Sequence, residues 1–390
     1  MLHRALPAPA GLLGTLLCAL LCACATTTPP PPTPYFNDAL FGPPPEDVSA
    51  DDVFALDDAM RRYLRVEIAR QLREEGPVRG LIGALNHQGQ LKLDYDAART
   101  RNAAQTFAAR KGNCLSLVIM TAALAKELRL QITYQSVDIE QTWSRHGDLA
   151  YRNEHVNVTL GRRTADAAPG FDSARLLTVD FLPAQDILGQ RTRRISEDLV
   201  VAMYMNNRAA EELDAGRLDA AYWWARAAML RSPGFLAAYN TLSIVYLHHG
   251  DLQASARVLA YLLDRNPDDT GVLANAAIVF DRLGRRAEAG AARARLARLE
   301  PIPPYHYFFL GTAAMQRGDY LSARQLFSQE VDRAGYNGEF HYWLGLANYM
   351  LGNLSEARHQ LALALENSTT ESEHALYAGK LERLRSYGVN

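Results

Sequence analysis

Arg110-Lys111-Gly112-Asn113-Cys114-Leu115-Ser116, followed by an apolar run to Leu128, is the stretch that decides the fold of the first half of the chain. Gly112 and Asn113 are turn formers that resist helix interiors, and Asn113 is a good helix N-cap. From Leu115 onward, Val118, Ile119, Met120, Ala122, Ala123, Leu124 and Leu128 are apolar on nearly every face, the pattern of a buried helix. Cys114 is therefore expected at a helix N-terminus, where unpaired backbone N–H groups favour the thiolate and lower the thiol pKa. A thiolate so placed is a usable nucleophile.

Outward from this helix, Asp51 to Leu72 reads as an amphipathic helix, with Phe54, Leu56, Met60, Leu64, Ile68 and Leu72 near helical spacing. Thr100 to Ala109 reads as another, leading into the turn before Cys114. Beyond the cysteine helix, Gln131 to Ile139 has the alternating, β-branched character of a strand, and Ser144 to Asn153 is polar and read as a loop. His155 to Leu160 is a second strand with His155 at its mouth, and Arg175 to Phe181 a third that carries Asp180 near its end. A lone strand histidine is more often structural than catalytic, and Asp180 alone could simply end a strand. His87 and His146 compete for the role of base, but neither opens an apolar strand.

The order of cysteine on a helix, histidine on a strand and aspartate on the next strand resembles the transglutaminase-like (papain-like) superfamily. Gly112-Asn113-Cys114, Glu154-His155-Val156-Asn157-Val158 and Thr178-Val179-Asp180-Phe181 match its three boxes. The resemblance covers roughly residues 90–185 and implies an α+β domain with a Cys-His-Asp triad. The aromatic residue common just after the histidine is replaced here by Val156. The chemistry explains the residue types. A thiolate needs a base or a stable imidazolium partner, for which His155 is the candidate. Asp180 would hold the other ring nitrogen, and N–H groups at the helix start would receive a developing oxyanion. Such a site performs acyl transfer on an amide or ester through a thioester, with water or an amine as acceptor.

The 390 residues allow two or three domains, and 41 basic against 43 acidic side chains give no electrostatic case for nucleic acid. Residues 1–23 read as an export signal, with His3 and Arg4 before a short apolar core from Gly11 to Leu21. Leu21-Cys22-Ala23-Cys24 resembles the lipobox of bacterial lipoproteins, which implies lipidation of Cys24 and a membrane anchor. Ala25 is not Asp, so the usual sorting pattern implies the outer membrane, facing the periplasm. Residues 24–49 read as a Pro-rich tether, interrupted by Tyr35, Phe36, Leu40 and Phe41 as candidates to dock on the folded body. Of the four cysteines, Cys18 and Cys22 leave with the signal and Cys24 takes the lipid, so Cys114 remains alone. A lone thiol in that compartment is either a buried, inert side chain or a reactive one.

From about residue 201 the chain becomes helical, alanine-rich and periodic. Gly216, Gly250, Gly284, Gly318 and Gly352 recur every 34 residues, as do Ala221, Ser255, Ala289, Ala323 and Ala357, and Pro233, Pro267 and Pro301. This resembles the tetratricopeptide repeat, in which two antiparallel helices are joined by a turn. Five repeats span 201–371, and 372–390 supplies a capping helix for the last exposed face. Asn206, Asn240, Phe308 and Tyr342 share the fifth repeat position, which commonly faces the concave groove, and are the candidates for binding a protein or peptide partner. No lysine holds that position, so a carboxylate clamp is not expected. The sequence has no His-Glu-x-x-His motif and no phosphate loop, the chain after the expected signal has no metal-type cysteine pair, and no cofactor is implied.

The expectation is thus an α+β transglutaminase-like domain over 50–200 followed by an all-α tetratricopeptide solenoid. Its leading function is a cysteine-dependent amidase, peptidase or acyltransferase whose repeats recruit a partner or substrate. The alternative is a non-catalytic adaptor of the cell envelope.

Overall fold

A computed structural model describes residues 32–46, 48–85, 91, 93–146, 149–162, 176–181 and 190–386, with backbone alone for 138–146 and 149–154. The expected export signal, Cys24 and His87 lie outside the described residues.

Asp57 caps α1 (Asp58–Arg62), its carboxylate accepting from the Met60 N–H. A π turn over Tyr63–Glu67 and a bend at Ile68 lead into α2 (Ala69–Glu74), and α3 (Pro77–Leu85) follows. The single helix expected over 51–72 therefore starts later and is interrupted. The reason is burial: the wide turn lets Met60, Tyr63, Leu64 and Ile68 all point inward, each 4% exposed or less.

Two-residue strands β1 (Asp94–Tyr95) and β2 (Lys111–Gly112) pair in parallel, a ladder too short to show in sequence. Between them, α4 (Ala103–Ala109) starts with a capping box made by Asn102 and Gln105 and ends at Arg110 in the left-handed region. Then comes α5 (Cys114–Glu127). Asn113 caps it as expected, its side-chain oxygen accepting from the Ser116 N–H at 2.9 Å. Ile119, Met120, Ala122, Ala123 and Leu124 are all fully buried, so this helix is a core element on every side. Each large apolar side chain buried there contributes roughly 1.5–3 kcal/mol.

Strands β3 (Gln131–His146), β4 (Leu149–Gly161), β5 (Leu177–Val179) and β6 (Arg191–Ile195) form an antiparallel sheet in the order β5-β4-β3-β6. The segment read as a loop over 144–153 is instead the end of the long β3–β4 hairpin, with Thr142 opposite Asn153 and His146 opposite Leu149. Polar composition does not forbid a two-stranded ribbon, because its backbone bonds close across the hairpin without a core. The register shifts between Val137 and Thr142.

The C-terminal half is a helical solenoid: α6 (Glu197–Asp214), α7 (Leu218–Arg231), α8 (Leu236–His249), α9 (Leu252–Arg265), α10 (Thr270–Arg282), α11 (Arg286–Leu299), α12 (His306–Gln316), α13 (Tyr320–Arg333), α14 (Gly338–Met350) and α15 (Leu354–Glu366). The periodic glycines sit after the first helix of each pair, with φ between +73° and +97°. No atom lies within 4 Å of a Cβ built on any of these five, so backbone conformation alone requires glycine there. The periodic small residues Ala221, Ser255, Ala289, Ala323 and Ala357 are fully buried between helices. The capping helix α16 (Glu371–Ser386) buries Tyr377, Leu381 and Leu384, as a solenoid end requires.

The stack is not continuous. One core runs from the thiol-bearing half through Ala289, and a separate one begins at Tyr305. Helix α11 buries only Ala289 and Ala292, while Leu299, Phe309 and Leu310 near the junction are 44%, 53% and 46% exposed. The connection Glu300-Pro301-Ile302-Pro303-Pro304-Tyr305 ends with Tyr305 at φ +62°. An alanine- and arginine-rich helix has too little apolar surface to hold the next pair, so α12–α16 form a second block.

Much of the expected tether is folded onto the first two repeats. Tyr35 packs on Tyr239 and Tyr261, and Phe41 stacks on Tyr222 with ring centres 3.9 Å apart. The Tyr246 hydroxyl donates to the Tyr35 carbonyl, Trp223 Nε1 to the Gly42 carbonyl, and Arg226 pairs with Asp38. Aromatic side chains that a free spacer would expose to water are covered here. Residues 32–46 are therefore a strap and not a spacer.

Candidate active site

Three elements converge at the start of α5. Asn113 fixes the first turn by capping it, and its amide nitrogen donates to Thr100 Oγ1 at 2.9 Å. Cys114 is half-buried at the first position of that helix. His155 does not open its strand as expected. It lies inside β4, opposite Val137 and beside the register shift, because the strand continues back to Leu149. Asp180 is the residue after β5, on the far side of β4.

Strand alternation puts His155, Asn157 and Thr159 on one face of β4 and Val156, Val158 and Leu160 on the other. The pairing of β4 with β5 then brings Asp180 to the polar face. His155 Nε2 is 2.7 Å from Asp180 Oδ1, and Asn157 Nδ2 donates to Asp180 Oδ2 at 2.9 Å. The carboxylate is thus held at both oxygens, with the histidine and aspartate side chains 3% and 6% exposed. Thr159 continues the polar row through Gln135 and Thr178.

Cys114, at the start of α5, also acts on the imidazole and favours its protonated form. Burial alone would pull the His155 pKa down. Hydrogen bonds to Asp180 and Cys114, with the negative charge of each, carry it up to about 9. A protonated imidazolium at neutral pH, between a carboxylate and a sulfur, is the partner that a thiolate requires. The three residues singled out from sequence are thus brought together. Asn157 was not anticipated, although its place two residues after a strand histidine puts it on the same face. Tyr95 was also missed, since nothing local marks a two-residue strand. It stands opposite Gly112, two residues before the cysteine. Burial, and the negative charge of Cys114, push the Tyr95 phenol pKa up.

Of the candidate partner residues, Asn206 is half-buried with its side-chain oxygen covered and without a hydrogen bond. The Asn240 side-chain oxygen accepts from Asn275 at 3.0 Å. Phe308 is corrected from groove to core: it is 3% exposed, packed among Tyr305, Phe327 and Phe340. Tyr342 is half-buried, with its ring stacked on Tyr377 of α16 at 5.1 Å. Among the described residues, no group of three or more His, Cys, Asp or Glu side chains converges as a metal site would require. None of the helices among the described residues is long and apolar enough to cross a membrane.

A tetratricopeptide repeat family model matches residues 308–372. A thermophilic tetratricopeptide protein of Thermus thermophilus is similar at 20% identity, over 46% of this chain and 98% of that one, with a TM-score of 0.29. A tetratricopeptide repeat protein from Parabacteroides merdae is similar at 18% identity, over 47% and 76% of the two chains, with a TM-score of 0.25. MamA from Desulfovibrio magneticus is similar at 16% identity, over 44% and 96%, with a TM-score of 0.26. No curated protein matches the chain. The family match and the recurring helix pairs agree: the C-terminal region of this protein is built of tetratricopeptide repeats.

Proposed function

We propose that the first half is a transglutaminase-like (papain-like) unit that transfers acyl groups through Cys114. The observation that carries this reading is His155 buried against Asp180 at 2.7 Å, with Cys114 acting on the same imidazole to raise its pKa. Sγ attacks an amide carbonyl, and the oxyanion that forms takes the N–H groups at the start of α5. His155 gives its proton to the leaving amine and the carbon–nitrogen bond breaks, leaving a thioester. A water or an amine, deprotonated by His155, then displaces the sulfur. Asp180 and Asn157 keep the imidazole oriented through both steps. The repeats recruit the protein or peptide that carries the acyl group.

Thiol labelling of the full chain tests this. Cys114 should alkylate with iodoacetamide faster than a model thiol at neutral pH, and His155→Ala should slow it. Equal rates for the protein, its His155→Ala variant and a model thiol would overturn the reading.

A second reading, a protein-binding adaptor without turnover, is favoured by the tetratricopeptide match and by the half-buried state of Cys114. Asp180→Asn separates the two, because it impairs turnover while leaving partner capture intact.

Anchoring through Cys24, in the outer membrane facing the periplasm, is part of the same proposal. With the strap docked from Pro32, only residues 24–31 remain to span the gap, at most about 3.5 Å each. The first two repeats then lie close to the lipid. Cys24→Ser should release the protein from the membrane fraction or leave it unprocessed. A variant that still fractionates as a mature acylated protein rules the anchor out.

A further inference from the structure

Strand β6 carries Arg191, Arg193 and Arg194 within four positions, all exposed, and none of the three is in an ion pair among the described residues. It is the outer strand of the order β5-β4-β3-β6. Arg193 and Arg194 stand opposite Ser136 and Gln135, neither of which can answer their charge. With 41 basic and 43 acidic side chains the chain as a whole has no pull on an anionic surface, so this concentration is local.

Its position gives it meaning. Through Ser196, β6 runs into the start of α6, where Asp198 is paired with Arg231 at 2.7 Å and Glu197 with Lys126 at 2.6 Å. The acidic groups nearest the strand are therefore already neutralised. Leu230, beside Arg231 at the end of α7, is 47% exposed. Successive helices of the solenoid alternate in direction, so the starts of α6 and α8 and the ends of α7 and α9 share one end of it. The strap begins at that end. Tyr35 packs on Tyr239, in the first turn of α8, and on Tyr261, near the end of α9. By Gly42 the strap has reached the opposite end, where its N–H donates to Asp219 at the start of α7. Eight residues, 24–31, separate the expected lipid from Pro32, about 28 Å at full stretch. Packed helix axes lie about 8–10 Å apart, which puts the start of α6 within about 20 Å of the start of α8. The edge arginines thus stand at the end of the body from which the anchor leaves.

We propose that β6 is a headgroup-binding edge, whose arginines rest on the phosphates of anionic lipids and set how the anchored protein lies on its membrane. This rests on the reading of Cys24 as the anchor. Acyl chains hold a protein at a surface without fixing its direction, and a basic patch beside them supplies the second contact. Leu230 enters the interface at the rim of that patch.

The test replaces the natural anchor, so that it does not depend on acylation. The chain from Ala25 on keeps every described residue. Carrying an N-terminal hexahistidine tag, it is held by a nickel-chelating lipid on vesicles of phosphatidylglycerol and phosphatidylethanolamine in equal parts, or of phosphatidylcholine alone. Hydrogen exchange in residues 191–199 is the readout, with far-UV circular dichroism as the check on folding. Exchange there slows by roughly fivefold or more on the anionic vesicles relative to phosphatidylcholine, since one arginine at such a surface is worth about that factor. The triple variant Arg191→Ser, Arg193→Ser, Arg194→Ser abolishes the slowing, as does about 1 M salt. If the triple variant does not fold, Arg193→Glu is read in its place. Arg282→Ser with Arg286→Ser, which removes two exposed cations at the other end of the repeats, leaves the slowing unchanged. Equal exchange on the two kinds of vesicle overturns the proposal, and so does slowing that survives the triple variant. Polyglutamate in solution that slows β6 as much as the anionic vesicles overturns it too, because the partner is then an acidic chain. If the triple variant only self-associates, the arginines guard the sheet edge and the proposal falls. Fractionation of Cys24→Ser keeps the two failures apart. Release of that variant with no vesicle effect leaves the anchor standing without the headgroup edge, and the reverse pair of results removes the anchor alone.

Discussion

The thiol-bearing half and the repeats hold together by different means. In the first, a few contacts between residues far apart in sequence carry the arrangement: Asp180 reaches back 25 residues to His155, and Thr159 reaches back 24 to Gln135. In the second, the same short-range solution recurs every 34 residues, with a left-handed glycine and a buried small residue each time. A lesion in the first half therefore removes something that no other residue supplies. A lesion in the second is met by its neighbours and stops where the stacking stops.

The largest expected effect is at the buried carboxylate. Asp180→Ala leaves His155 and Asn157 buried without their partner and should cost about 3–5 kcal/mol in urea unfolding. The loss should appear as faster hydrogen exchange in β4 and β5, with α12–α16 unchanged. Exchange that rises equally in both halves would erase the contrast.

The same cluster predicts a pH dependence. The His155 pKa is raised in the folded state, from 6.5 to about 9. The stabilisation is therefore complete below the unfolded value and lost as pH climbs through the folded one. Stability should fall between pH 6.5 and 9 by a few kcal/mol at most, and His155→Gln should flatten that slope.

Next comes the strap. Phe41, 8% exposed and stacked on Tyr222, should cost about 2–3 kcal/mol as Phe41→Ala, with exchange rising in α7 and α8. Gly250→Val forces a β-branched residue to φ +97° and should cost about 1–2 kcal/mol. Its exchange signature should spread to the first and third repeats and end at the break before α12. Spread into α12–α16 would show that the solenoid is one cooperative unit. Smallest is Asn113→Ala, about 1 kcal/mol for a lost N-cap, confined to the first turn of α5.

Some of this was legible in advance because it depends on neighbours in the chain. Gly112-Asn113 before a fully apolar run announces a capped, buried helix, and the cap is made as expected. Glycine at a 34-residue interval announces turns that need positive φ, and all five have it. Other features were misread for equally physical reasons. Polar residues over 144–153 hid a hairpin, because a ribbon bonds through its backbone and leaves no apolar alternation. Phe308 shares a repeat position with Asn206, Asn240 and Tyr342, yet its ring alone turns fully into the core.

The sequence by itself determined which residues stand at a helix start, which face of a strand carries the histidine, and where each repeat turns. These are local consequences of caps, strand alternation and left-handed backbone. Only the tertiary structure decided that Asn157 shares Asp180 with His155, that the strap lies on the first repeats, and that Ala97 meets the end of the solenoid. Each of those depends on strand pairing or on the path of the whole superhelix. Thr369 is 272 residues from Ala97 in the chain and 2.7 Å from it in space, and no local preference encodes such a meeting.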